Sequence, residues 1–175
     1  VHVVFGRDTD IDVSTLDCTT NGFSVTGLEL VNVGDGTSGG GNAGAIGDVD
    51  GDGTDDILLG RFGPDVNTGA SGDIVILSSG TTIASGSFDI DTLASTDTIV
   101  LTGLDATTAA TASVTGGFDI NGDMVDDIVV GVPGDDTGGV NAGAVYVVFG
   151  DAGIADSVDL TALDGDDGFI ITGLT

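Results

Sequence analysis

Residues 118–131 read Phe118-Asp119-Ile120-Asn121-Gly122-Asp123-Met124-Val125-Asp126-Asp127-Ile128-Val129-Val130-Gly131, and they repeat Gly47-Asp48-Val49-Asp50-Gly51-Asp52-Gly53-Thr54-Asp55-Asp56-Ile57-Leu58-Leu59-Gly60. Asp119 follows Asp48 by 71 positions (119 − 48). The same offset carries Gly72–Leu77 onto Gly143–Val148, so the repeat extends well past the acidic stretch. Self-similarity at a fixed period of this size marks a chain built from stacked supersecondary units. Val1-His2-Val3-Val4-Phe5-Gly6 is a third copy, matching Val145–Gly150. Two shorter markers also occur three times: an apolar-Asp-apolar-x-x-Leu run at Ile11–Leu16, Phe88–Leu93 and Val158–Leu163, and Thr-Gly-Leu starting at Thr26, Thr102 and Thr172.

Each unit offers four short apolar or alternating runs between clusters of Gly, Asp, Asn and Thr, with no stretch at helical period. That pattern predicts an all-β, four-stranded antiparallel unit. In the last unit the strands are expected at Ala112–Phe118, Asp127–Val132, Ala144–Phe149 and Gly168–Thr172. Glycine at 32 of 175 positions suits the many tight turns. The chain then divides into a partial unit with its Gly-rich connection (1–41), a full unit with one acidic loop (42–111) and a second full unit with another (112–175).

The acidic loops have the chemistry of a hard cation. Asp48, Asp50, Asp52, Thr54 and Asp56 stand at positions 1, 3, 5, 7 and 9 of the first loop, and Asp119, Asn121, Asp123, Val125 and Asp127 repeat them in the second. Alternate residues of a tight loop converge on one point, so these positions supply carboxylate, amide and backbone carbonyl oxygens to a common centre. An oxygen-only set carrying several charges suits Ca²⁺ better than Mg²⁺, and no His/Cys cluster is present for zinc. Leu59 and Val130 occupy position 12, where an EF-hand needs Glu, and they continue an apolar run. The loops are therefore expected to join two strands. Gly53 supplies the positive φ expected at position 6, whereas Met124 stands there in the second loop and should make it the weaker site. Asp8, Asp10 and Asp12, or Asp164 and Asp166, read instead as solvated turn carboxylates.

The succession Asp-x-Asp/Asn-Gly-Asp-x-x-Asp-Asp, apolar strand, Gly131-Val132-Pro133 and Tyr146-Val147-Val148-Phe149-Gly150 resembles the FG-GAP repeat of integrin α-subunit propellers and their bacterial relatives. The resemblance implies β-propeller blades, about two and a half of them, with Ca²⁺ held in the hairpin loop. The chain departs from the pattern where Thr111-Ala112 replaces Phe-Gly and where Gly60-Arg61-Phe62 replaces Gly-Ala-Pro. Propellers close with about four to eight blades, so two and a half cannot close a ring alone.

Composition excludes several functions. The formal charge is −27, with Arg7 and Arg61 the only cationic side chains beyond His2, so no basic stripe exists to track phosphates. An anionic membrane surface would repel the chain as well. Every acidic residue but Glu29 is Asp, a skew that cation loops and tight turns select; salt adaptation is a second, compatible reading. Cys18 is the single cysteine, so no internal disulfide forms. No apolar run has the length of a membrane span and no basic segment precedes an apolar one, which places any export signal outside this sequence. Gly36-Thr37-Ser38-Gly39-Gly40 satisfies the letters of a nucleophile elbow, and Gly39, Gly41 and Gly44 those of a dinucleotide loop. Neither has the strand-turn-helix context its chemistry requires.

These readings point away from an enzyme. They favour an extracellular, calcium-binding structural or adhesive module, whose partners are other copies of itself or further repeats of a longer chain. The Val1–Phe5 strand should present an open edge for such pairing. The alternative is a non-catalytic propeller segment of a larger secreted enzyme or receptor, binding a carbohydrate or protein ligand at its loop tips.

Overall fold

The structure, a computed structural model, describes residues 2–4, 22–26, 32–33, 37–38, 43–60, 74–78, 87–89, 97–104, 112–154 and 156–174. Among these residues the chain is all-β, with no α-helix, and none of its helices is long and apolar enough to cross a membrane. The Ile11–Leu16 run, Arg7, Cys18 and Arg61 lie outside the described residues.

The last unit forms a four-stranded antiparallel sheet from β10 (Ser113–Phe118), β11 (Asp127–Val132), β12 (Ala144–Val148) and β14 (Gly168–Thr172), in that order. These strands coincide with the four expected from sequence to within a residue at each end. The preceding unit repeats the arrangement with β5 (Ala43–Gly47), β6 (Asp56–Gly60), β7 (Ile74–Leu77) and β9 (Thr98–Thr102). Its registers are the same: Leu58 lies opposite Ile76 as Val129 lies opposite Val147. The partial unit supplies β1 (His2–Val4), at the sheet edge, paired antiparallel with β2 (Gly22–Thr26). In the Gly-rich connection β3 (Asn32–Val33) and β4 (Thr37–Ser38) make a small hairpin, so the elbow-like Ser38 sits on a strand paired with Asn32.

One feature exceeds the antiparallel expectation. A short strand between the third and fourth strands of each full unit crosses to the previous unit and pairs with it in parallel. β8 (Ser87–Asp89) lies along β2, placing Phe88 opposite Val25 and Asp89 opposite Thr26. β13 (Ser157–Asp159) lies along β9, placing Val158 opposite Leu101 and Asp159 opposite Thr102. The sheet of the first full unit thereby has five strands, β13-β9-β7-β6-β5. The two recurrent sequence markers are the two sides of this joint.

The joint explains its own residues. After β13 the chain enters a 3-10 turn, Leu160–Ala162, capped by Asp159, whose carboxylate accepts from the Thr161 N–H at 2.9 Å and the Thr161 hydroxyl at 2.7 Å. Those bonds, the hydroxyl first and the N–H second, hold the Asp159 carboxyl below the usual carboxylate range against a smaller opposing effect of burial. Opposite lies Gly103 at φ +96°, where a Cβ would collide with that carboxylate, so the Thr-Gly-Leu marker needs glycine at its centre. Leu160 is then delivered, fully buried, into the core between the sheets.

That core is shared by both full units. Leu58, Ile74, Ile76 and Leu101 of the first pack with Ile128, Val130, Tyr146 and Val148 of the second. Strand β7 is buried on both faces, which is why it reads Ile-Val-Ile-Leu instead of alternating. At the far end of the second unit Phe149 meets Phe169 edge-on with ring centroids 5.8 Å apart.

Candidate metal centre

The first acidic loop connects β5 to β6 and is organised by one apolar residue. Val49 is fully buried in the core beneath the loop, and Asp48 and Asp50, its neighbours in sequence, converge above it. Asp56 opens β6, is fully buried, and accepts from the Val49 N–H at 2.9 Å. Carboxylate oxygens of Asp48, Asp50 and Asp56 lie within 4.8 Å of one another, a separation one cation can span. Asp48 Oδ2 accepts from the Gly53 N–H at 2.9 Å, and the Ser78 hydroxyl donates to Asp50 Oδ2.

The remaining oxygen tests whether a cation fits. Asp48 Oδ1 is buried and has no hydrogen-bond partner. Leaving a buried carboxylate oxygen unsatisfied is costly, and a cation between the three carboxylates would satisfy it. The donor set is all oxygen, as a hard divalent cation requires. Of the four carboxylates expected from spacing, three are thus brought together. Asp52 and Thr54 are exposed, and Asp52 Oδ1 accepts from the Thr54 N–H at 2.8 Å.

The second loop, between β10 and β11, keeps the turn chemistry. Asp119 Oδ1 accepts from the N–H groups of Gly122 at 2.6 Å and Asp123 at 3.1 Å, and Oδ2 from that of Met124 at 2.9 Å. These bonds, Met124 foremost, hold the Asp119 carboxyl below its ordinary value despite an opposing effect of burial. Asn121 Oδ1 accepts from the Asp123 N–H at 3.0 Å, its Nδ2 donates to Asp123 Oδ2 at 2.8 Å, and Asp123 Oδ1 accepts from the Val125 N–H at 2.8 Å. Asp127, like Asp56, is fully buried; it accepts from Ile120 N–H at 2.6 Å and Gly150 N–H at 2.9 Å. Met124 has φ 77°, matching Gly53 at φ 91°. The fold therefore forces a methionine into the left-handed region at position 6, as its place in the repeat implies.

Two participants escape a reading of either loop alone. Ser78 belongs to the residue pair following β7, and only the register of β6 with β7 brings it over Asp50. Asp126 comes from the second unit: its carboxylate accepts the Asp48 N–H at 3.1 Å and its own N–H donates to the Asp48 carbonyl at 3.0 Å. The paired Asp-Asp thus has divided labour. Its second member caps its own loop, and its first, in the second unit, clamps the loop of the unit before. The only sequence signal was the strict recurrence of the pair as Asp55-Asp56 and Asp126-Asp127.

Compared with known proteins, the chain matches the family model described as FG-GAP repeat over residues 110–148, which span β10, the second loop, β11 and β12. No curated protein and no solved structure matches it. Residues 110–148 of this chain are an FG-GAP repeat.

Proposed function

We propose that this chain is a calcium-binding structural module of the extracellular space, a scaffold and not a catalyst, whose units stack on one another and on further copies. The buried, unpartnered Asp48 Oδ1 inside a three-carboxylate cluster carries the reading. A cation held there neutralises carboxylates that would otherwise repel, within a chain whose formal charge of −27 already opposes compaction. Because Asp126 grips the same loop from the next unit, ordering the loop also orders the junction between units. The repeat spacing and the matching turn in the second loop support a second site at Asp119, Asn121, Asp123, Val125 and Asp127, weaker because of Met124. An adhesive role is supported by the edges of β1 and β14, which among the described residues carry no further strand and are suited to strand addition.

Calcium titration by calorimetry, with Asp48→Ala and Asp119→Ala as single and double variants, tests this. Extracellular oxygen-ligand sites of this kind bind with dissociation constants of about 10⁻⁴ to 10⁻³ M. Each single variant should abolish one site, the double variant both. Absence of binding heat in the wild-type chain at millimolar calcium refutes the proposal.

A further inference from the structure

We infer that the outward face and open edge of β14 are the docking site for a second copy of this chain, joined head to tail, with that copy's Ile11–Leu16 run laid parallel along β14. The inference deepens the assembly reading above by naming the surface and the occupant, and it does not depend on cation occupancy.

The same strand occurs three times, once per unit, and in two of them its face is covered. Counting back from the Thr of each Thr-Gly-Leu marker, the equivalent residues are Phe23 and Val25 on β2, Ile99 and Leu101 on β9, and Phe169 and Ile171 on β14. Phe23 and Val25 are 4% and 3% exposed, Ile99 and Leu101 4% and 1%. Phe169 and Ile171 are 36% and 55% exposed. The marker leucine follows suit: Leu104 is 3% exposed and Leu174 97%. Apolar residues that are closed over at two stations of a repeat and open at the third mark the surface made for a following unit.

The edge of β14 is open in the same way as its face, among the described residues. β2 and β9 each carry an apolar-Asp-apolar strand from the next unit in one register, the apolar residue opposite the residue before the marker Thr and the Asp opposite the Thr itself. Among the described residues β14 carries none. The sequence holds one more copy of the inserted run, Ile11-Asp12-Val13-Ser14-Thr15-Leu16, outside the described residues. Applied to it, the observed register sets Ile11 opposite Ile171 and Asp12 opposite Thr172. Such a contact is heterologous, so it propagates along an axis unless rotation closes it.

The test is sedimentation velocity on the full chain over a hundredfold range of concentration in calcium. The wild type should grow in whole multiples of the chain mass. Ile171→Asp and Leu174→Asp, at exposed positions, should weaken association by at least about tenfold while leaving melting temperature and calcium heat unchanged. Ile11→Asp should weaken it from the other end, its fold checked by the same melt. A mixture of Leu174→Asp and Ile11→Asp chains keeps one sound half of the joint on each and should stop at a dimer. A wild-type chain that stays monomeric throughout overturns both this inference and the assembly reading. A wild type that associates, with Ile171→Asp and Leu174→Asp associating equally well, overturns this surface alone and leaves self-assembly and calcium binding standing.

Discussion

Met124 shows how a single residue reports the loop it sits in. It holds φ 77° where the first loop has Gly53, and its side chain is 93% exposed, so packing returns nothing for the strain. Non-glycine residues in that region cost about 1–3 kcal/mol, partly offset by the greater chain entropy that glycine loses on folding. Met124→Gly should therefore raise stability by roughly 1 kcal/mol and tighten calcium at the second loop, as read by melting and calorimetry. Tyr146 makes a second test. Its hydroxyl donates to buried Asp135 at 2.6 Å, and Asp135 also accepts from the Thr137 N–H at 2.7 Å, tying down the connection between β11 and β12. Burial, then the bond to Asp135, pushes the Tyr146 hydroxyl above its ordinary pKa of 10.0. A raised folded value means this stabilisation is complete below the ordinary pKa and is lost as pH rises through the folded one. Tyr146 is the one tyrosine, so tyrosinate absorbance follows it without interference. Tyr146→Phe should cost about 1–3 kcal/mol at neutral pH and flatten the alkaline fall in stability.

At the scale of elements, the strands of the full units were legible because their apolar runs are bounded by turn residues and recur at one offset. The acidic loops were legible for the same reason. The parallel strands β8 and β13 were not, although their sequence marker was plain. Each is only three residues long, too short for a period to show, and its partner lies in the previous unit. Sequence spacing likewise gave five positions per loop without showing that Asp52 is exposed and outside the carboxylate cluster while Ser78 and Asp126 arrive from elsewhere. The inserted strand matters because Leu160 follows it into the core at 0% exposure. Leu160→Ala should cost about 2–5 kcal/mol, and Gly103→Ala should also destabilise, by driving a Cβ into Asp159. In hydrogen exchange both variants should release β13 and the outer edge of β9 before the β6–β7 ladder; uniform loss of protection would argue against a separate joint.

For the molecule as a whole, charge and cation decide the balance. With −27 formal charge and two arginines, the chain has almost no internal counter-charge, and among the described residues carboxylates cluster in the loops that join β5 to β6 and β10 to β11. A cation bound only by the folded state stabilises it by RT ln(1 + [L]/Kd), about 2.7 kcal/mol per site at a hundredfold excess over Kd. For a domain of this size each kcal/mol moves the midpoint by about 2–4 °C. The melting temperature of the 175-residue chain, measured in saturating calcium and again in excess chelator, is therefore the most direct test that calcium holds this fold together. Chelator should lower it by roughly 5–11 °C for each site emptied, with Asp48→Ala in calcium reproducing one site's share; a melting curve unmoved by chelator would contradict a structural role for calcium.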